Sequence, residues 1–355
     1  MYIEMVHPTS LSPEALDAYL ERGWYRMGQS VFTCRFVTFD GTLFPTIWIR
    51  LPLEGYTFRK SLRRRMSRNA KRFQISIGAP AEMTPEKEAL YQRYRDDFSG
   101  DLAPSLEEAL FDGDGRDIFD TREIEIRDDG RLVAFSFFDL GVESIESIIG
   151  VYDPDYKSHS LGLHTMLLEV EHAQAAGLRY FYPGYVVPGY SAFDYKLRLG
   201  EAELEYHHTE QDAWLPYPEL ERNNLATHRL QRGLEVAVEA LRAEGVPAEL
   251  RIYPLYRSAS LDSRLALCLK QPLFIECHPD RPGLSRLVVT YDYETDSYAL
   301  EFCLRVADLR EQFAHFSAPE DQPPPCLHLM QQVVRLAESG SAERITRTLI
   351  QIGAA

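Results

Sequence analysis

The 355-residue sequence predicts a protein of the α/β (α+β) class, built on a mixed sheet with a crossover helix. Two observations carry this. Between residues 123 and 152 three short runs have strand character: 123–126, 132–138 and 145–152. The first two flank Asp129-Gly130, a strong two-residue hairpin signal. At Ser160 the period changes from two to 3.6. Leu163, Met166, Leu167 and Val170 follow the i, i+3, i+4, i+7 spacing of a helix, Gly177 stands where a left-handed C-terminal cap belongs, and Tyr180-Phe181-Tyr182 follows as a short strand. Strand, strand, strand, helix, strand is an antiparallel meander whose last strand arrives through a crossover and lies parallel to the third.

The remaining elements follow in order. Ser12-Pro13-Glu14 reads as an N-cap with proline at the first helical position, and Leu16, Tyr19 and Leu20 form its apolar stripe. Residues 31–39, the Asp40-Gly41 turn and Ile47-Trp48-Ile49 read as an antiparallel hairpin. Residues 59–72 carry eight basic side chains and no acidic one, and lead into a strand at 73–77. Thr84-Pro85-Glu86 opens a helix with Leu90, Tyr91, Tyr94 and Phe98 on one side. Trp214-Leu215-Pro216-Tyr217-Pro218 marks a boundary. Beyond it the sequence predicts a helix at 224–244, short strands between 248 and 306, a proline loop at 323–325 and helical segments to the end. Three regions are therefore expected: 1–74, 75–213 and a C-terminal α+β extension at 214–355.

Composition narrows the class. Hydrophobic residues make up 45% and aromatics 12% of the chain, enough for packed cores. The five cysteines are scattered, with no C-x-x-C pair, so neither a disulfide framework nor a metal site is expected. The N-terminal residues lack a basic n-region and an apolar h-region, and no stretch reaches the roughly 18 apolar residues of a membrane span. A cytoplasmic location without a membrane partner is expected. The net charge of −16 opposes indiscriminate binding to a polyanion, yet the cations are concentrated at 59–72, while residues 96–129 hold thirteen acidic residues against three arginines. The basic run offers a local phosphate-binding face.

Four segments then resemble the arginyl- and leucyl-tRNA–protein transferases of the GNAT superfamily. They are Ser67-Arg68-Asn69 with Leu90-Tyr91-Gln92-Arg93-Tyr94; Asp129-Gly130-Arg131-Leu132-Val133-Ala134; Tyr152-Asp153-Pro154-Asp155 with Ser160-Leu161-Gly162; and Tyr180-Phe181-Tyr182-Pro183-Gly184-Tyr185 with Tyr195-Lys196-Leu197-Arg198. The resemblance covers about residues 60–205. It implies a GNAT-like fold in which the third meander strand and the strand after the crossover helix splay apart around a cleft. It also implies an acyltransferase that moves an amino acid from aminoacyl-tRNA to a protein or peptide N-terminus.

An aminoacyl ester is already activated, so its transfer to an amine requires positioning, stabilisation of the oxyanion and removal of a proton from the attacking ammonium, and no cofactor beyond the tRNA co-substrate. The candidate proton acceptors or amine holders are Tyr152, Asp153, Asp194 and Tyr195. Each also has an ordinary structural reading: Asp153 before Pro154 is a turn former, and the tyrosines are core aromatics with a wet hydroxyl. The candidate substrate-binding residues are Arg64, Arg65 and Arg68 of the basic run; Ser160, Leu161 and Gly162 at the start of the crossover helix, whose amides and dipole favour an anion; Tyr185; and Lys196 with Arg198.

The turn His159-Ser160-Leu161-Gly162-Leu163-His164 keeps only the central glycine of the pattern that acetyl-CoA users carry. This favours the tRNA acceptor end over the alternative, an acyl-CoA N-acyltransferase using acetyl-CoA. A catalytically inactive binding module is the third reading. In the family an N-terminal cysteine cluster is usual, and here that region holds only Cys34.

Overall fold

A computed structural model of the protein describes residues 2–98, 102–113, 115–313, 316, 318–320 and 322–353. Parts of the acidic segment, at 99–101 and 114, therefore lie outside the described residues. Two compact units are present. One comprises Met5–Thr33 and Ile47–Leu220; the other comprises Met1–Glu4, Cys34–Thr46 and Glu221–Ala355.

Up to Pro216 the elements are β1 (Ile3–Val6), α1 (Pro13–Glu21), β2 (Tyr25–Met27), β3 (Ser30–Cys34), β4 (Phe36–Phe39), β5 (Thr42–Pro45), β6 (Ile47–Pro52), α2 (Lys60–Ala70), β7 (Gln74–Pro80), α3 (Pro85–Asp97), α4 (Leu106–Phe111), β8 (Thr121–Asp128), β9 (Arg131–Leu140), β10 (Ser144–Tyr152), α5 (Leu161–Ala175), β11 (Tyr180–Val186), β12 (Glu205–His208) and β13 (Ala213–Pro216). The larger unit is organised by an eight-stranded sheet in the order β13-β12-β6-β11-β10-β9-β8-β7. As the sequence predicts, β8, β9 and β10 form an antiparallel meander, and α5 returns the chain so that β11 pairs parallel to β10. This is the mixed sheet with a crossover helix expected of a GNAT-like domain.

Alternation along β9 divides its side chains between two cores. Ala134 and Phe138 meet α2 and α5 through Leu62, Met66, Leu163 and Leu167. Phe135 and Phe137 meet α3 and α4 through Leu90, Tyr91, Leu106 and Leu110. Burial of each leucine, methionine or phenylalanine among them contributes about 1.5–3 kcal/mol. With both faces covered, β9 reads as a nearly unbroken apolar run rather than an alternating one.

Several expectations are corrected. The Asp40-Gly41 turn closes a hairpin of β4 with β5, whereas β6 runs antiparallel between β11 and β12. Hydrophobic alternation gave no means of telling which sheet each apolar run joins. Because β6 is internal to the sheet, the unit does not begin at residue 75. The β2–β3 hairpin belongs to it as well. Arg26 is buried and donates from Nη1 to Asp139 at 2.9 Å and to Thr121 at 2.7 Å, while its backbone N–H donates to Glu146 at 2.7 Å. On α3, Phe98 lies beyond the helix and is 39% exposed. The buried stripe there holds Lys87 instead, whose Nζ pairs with Glu123 and, at 3.0 Å, Glu125.

The smaller unit continues with α6 (Ala226–Ala243), β14 (Ala248–Ile252), α7 (Tyr256–Leu261), β15 (Leu273–Cys277), β16 (Ser285–Asp292), β17 (Ser297–Asp308), β18 (His328–Ser339) and α8 (Ala342–Gly353). Its sheet has the order β14-β15-β16-β17-β18 with every pair antiparallel. Residues 328–339, expected within helical segments, form the edge strand β18. Ten residues of β17 that pair with it fix that choice through long-range hydrogen bonds that local periodicity does not encode.

Candidate active site

The site is built where β10 and β11 part. They pair only at Ser144↔Tyr180, Ile145↔Phe181 and Glu146↔Tyr182. Beyond that point β10 bulges between Ser147 and Ile149 and stays with β9, while β11 shifts register between Phe181 and Gly184 and stays with β6. Each departure is produced by a β-bulge, which bends a strand away from its neighbour. A V-shaped gap results, with Ser147 just past its apex.

Helix α5 lies along one side of this gap. Gly162, Thr165 and Glu169, at i, i+3 and i+7, face β10 and β9. A Cβ on Gly162 would lie 3.1 Å from the Tyr152 ring, and one on Gly150 would lie 3.2 Å from the Thr165 hydroxyl. Glu169 is 1% exposed, and neither carboxylate oxygen has a hydrogen-bond partner. Burial pushes its carboxyl up to about 7; the hydroxyls of Ser136 and Ser147 lie close enough to oppose that shift. The Ser136 hydroxyl is itself buried and unpartnered. The hydroxyl of Tyr195 lies near enough to feel this carboxylate, without a hydrogen bond to it. The residue is 41% exposed, but its hydroxyl end is enclosed, and burial together with the nearby Glu169 raises its pKa. Tyr94 and Tyr152 stand beside it with ring centroids 5.2 Å apart.

On the β11 side, Lys196 is buried and its Nζ donates to the carbonyl of Tyr185 at 2.8 Å. The rings of Tyr185 and Phe193 lie 5.3 Å from that nitrogen. Desolvation pushes the ammonium down to about 7. Gly184, at φ +91°, lets the strand approach: a Cβ there would stand 3.1 Å from Nζ and in a backbone region closed to other residues.

At the mouth, α2 presents its basic run beside the start of α5. Leu62, Met66 and Asn69 form the buried stripe. Arg65 is partly buried with an unpartnered Nε, and its pKa is lowered by desolvation and by the proximity of Arg68 and Arg198. His164 is wholly buried with both ring nitrogens unpartnered; desolvation and Arg65 push it down to about 4. Ser160, at φ 52°, makes no side-chain cap to α5, so the amides of the first turn keep their donors for another acceptor.

The predicted site residues are thus sorted. Tyr152, Tyr195, Tyr185, Lys196 and Gly162 line the gap, and Ser160, Leu161, Arg65, Arg68 and Arg198 gather at its mouth. Arg64 is exposed on α2 and is not part of that cation group. Asp153 is 1% exposed, accepts from Arg93 Nη2 at 2.8 Å, from Arg131 Nη2 and from the Asp155 amide at 3.1 Å, and caps the short 3-10 helix Pro154–His159. These contacts are those of a turn former. Asp194 is exposed on the 3-10 helix Ser191–Leu199. Glu169 was not singled out by the sequence reading, and His164 entered it only through the turn that departs from the acetyl-CoA pattern. Both are buried on the largely apolar α5, and an ionisable residue at a core position is the signal that marks them.

All five cysteines are buried thiols, outside any disulfide. Among the described residues no group of three or more His, Cys, Asp or Glu is placed to hold a metal ion, and no helix is long and apolar enough to cross a membrane.

Comparison with known proteins covers this unit. Residues 86–205 match the family described as arginine-tRNA-protein transferase, C terminus. The aspartate/glutamate leucyltransferase of Helicobacter hepaticus is 30% identical over 206 residues, 56% of this chain and 82% of that one. That of Leptospira interrogans serogroup Icterohaemorrhagiae serovar copenhageni is 26% identical over 213 residues, 59% of this chain and 80% of that one. That of Pseudomonas paraeruginosa is 26% identical over 224 residues, 57% and 92%.

Proposed function

The chain belongs to the aminoacyl-tRNA–protein transferase family and is an aminoacyltransferase, and from that premise we propose that it moves a leucyl group from leucyl-tRNA to the α-amine of a protein or peptide that begins with aspartate or glutamate. The names of its relatives supply the leucyl donor and the acidic acceptor. The observation that carries the tRNA part is the group of Arg65, Arg68 and Arg198 beside the first turn of α5. Desolvation and the neighbouring Arg68 and Arg198 lower the proton affinity of Arg65, whose Nε is unsatisfied, and the group stands next to amides with no capping side chain. Such a group is costly to assemble without a counter-anion. A phosphate of the tRNA acceptor end satisfies the guanidinium donors and the helix N-terminus together.

The aminoacyl ester then lies in the gap between β10 and β11, where strand amides without a sheet partner serve a developing oxyanion. Lys196 faces the acceptor. A carboxylate arriving from an N-terminal aspartate or glutamate restores the charge that burial suppresses, so the acidic residue is held by an ammonium that forms with it.

The test is incubation with a mixed pool of radiolabelled aminoacyl-tRNAs and peptides of varied first residue, scoring label that becomes stable to mild base. Label from leucyl-tRNA on acidic N-termini is expected. Transfer from coenzyme A thioesters but from no charged tRNA overturns the reading in favour of an acyl-CoA enzyme.

A further inference from the structure

The buried carboxylate of Glu169 sits at the apex of the gap with no role in the binding just described. Its surroundings are unusual for a structural acid. From α5 it faces Ser136 on β9, Ser147 at the bulge of β10, and the enclosed hydroxyl of Tyr195 from the 3-10 helix that follows β11. Neither carboxylate oxygen and not even the Ser136 hydroxyl has a hydrogen-bond partner. Among the described residues, no side-chain cation is near enough to hold it ionised: Arg65 acts on His164, and Arg122 acts on His172, one turn further along α5. A carboxylate that is buried, unpaired and unbonded costs stability, and such groups concentrate where chemistry uses them.

We propose that Glu169 is the terminal proton acceptor of the transfer reaction, receiving the proton of the attacking α-ammonium through the hydroxyl of Tyr195. The acceptor ammonium passes one proton to the Tyr195 oxygen as the phenol passes its own to Glu169. The neutral amine's lone pair forms the C–N bond to the ester carbonyl carbon. The C–O bond to the ribose breaks with its electron pair on the ribose oxygen, which takes the second nitrogen proton and leaves as a hydroxyl. Glu169 returns its proton to solvent after release. Nothing is oxidised, and charge and atoms balance without a further reactant. Glu169 acts through Tyr195, so it is a positioning residue, whereas Tyr195 touches the amine.

The electrostatics suit this. A carboxyl pushed up to about 7 by burial is close to the ordinary pKa of an α-amine, about 7.7–8, and proton exchange is most effective between groups of similar pKa. Ser136 and Ser147 are placed to donate to the ionised form when it appears.

The inference rests on the aminoacyl-transfer reading and is tested on the full chain with leucyl-tRNA and an acidic peptide. For the unmodified enzyme kcat should fall below an inflection near pH 7. Glu169→Gln should lower kcat by about 10²-fold with KM for the peptide unchanged, and should abolish that inflection. Tyr195→Phe should do the same. With hydroxylamine as acceptor, which is neutral at pH 7, Glu169→Gln should lose less than about 3-fold. A purely structural Glu169 lowers the rate equally for both acceptors and at every pH. As a measurement needing no variant, infrared titration should show a protonated carboxyl band that disappears with a midpoint near pH 7. A variant that keeps the inflection, or a band absent throughout, overturns the proposal alone. An unmodified enzyme inert toward every charged tRNA overturns the transfer reading, and the proposal with it.

Discussion

The Nζ of Lys196 donates to the carbonyl of Tyr185 at 2.8 Å, which ties the 3-10 helix Ser191–Leu199 back to the strand that precedes it. The bond is bought at the cost of burying a cation whose pKa falls to about 7. The folded-state pKa lies below the unfolded one, so the unfolded chain binds more protons between about pH 7 and 10.5. Stability should therefore rise with pH across that window, by on the order of a few kcal/mol. Lys196→Met should remove this rise, measured as the change in melting temperature between pH 7 and 9.5. The same substitution should raise KM for an Asp-initiated peptide at least 10-fold while leaving an Ala-initiated one nearly unaffected. Equal effects on both peptides would separate Lys196 from acceptor recognition.

Asp153 makes a contrasting case. It is enclosed between Arg93 and Arg131 and caps the turn into the 3-10 helix Pro154–His159. Asp153→Asn should lower stability by about 1–3 kcal/mol, the cost of leaving charged donors half-satisfied. The pH–rate profile should keep its shape, since the residue neither holds nor moves the reacting proton. A displaced inflection would return Asp153 to the chemistry.

The contrast shows what was legible in the sequence. The meander and crossover were readable because their signals are local: a Asp129-Gly130 turn, a change of period at Ser160, a cap at Gly177. The motif around Tyr152, Ser160, Gly162 and Lys196 marked the neighbourhood of the gap for the same reason. Which strand β6 would pair with, and that β18 would be a strand at all, depend on partners more than a hundred and about thirty residues away respectively. The gap itself depends on two bulges that no residue pattern announced. Asp153 is paired and Glu169, which the sequence reading did not single out, is buried without a partner, because burial and partners, not residue type, decide which carboxylate stays paired.

His164 provides a probe of the anion site that does not depend on turnover. Its imidazole is held neutral down to about pH 4 by burial and by Arg65. Because the folded pKa is depressed, the unfolded chain binds more protons between about pH 4 and 6.5, so stability should be lost as the pH falls through that window. His164→Gln should lessen the acid sensitivity of the melting temperature. Phosphate or a tRNA acceptor minihelix bound beside Arg65 offsets the guanidinium's repulsion. The His164 pKa, followed by NMR, should then rise by about one unit. A value unmoved by either ligand would place the anion elsewhere.

The cation group makes the sharpest prediction about tRNA itself. If Arg65, Arg68 and Arg198 each neutralise one phosphate of the single-stranded acceptor end, the logarithm of the binding constant should fall with the logarithm of salt concentration. The slope should be about −2, at roughly −0.7 per contact. Replacing all three with Ala should flatten it nearly to zero. Stability should change by less than about 0.5 kcal/mol, or rise slightly, because Arg65 is held beside two like charges and makes no bond through its Nε. Arg64→Ala is the internal control: Arg64 shares the helix and the charge but is exposed and stands outside the group, so its loss should change the slope by well under one unit. If the tRNA is instead held by the diffuse charge of the whole run, Arg64→Ala and each single member of the trio should flatten the slope equally. That outcome would dissolve the geometric site. A salt slope near zero in the unmodified protein would remove the phosphate contacts altogether.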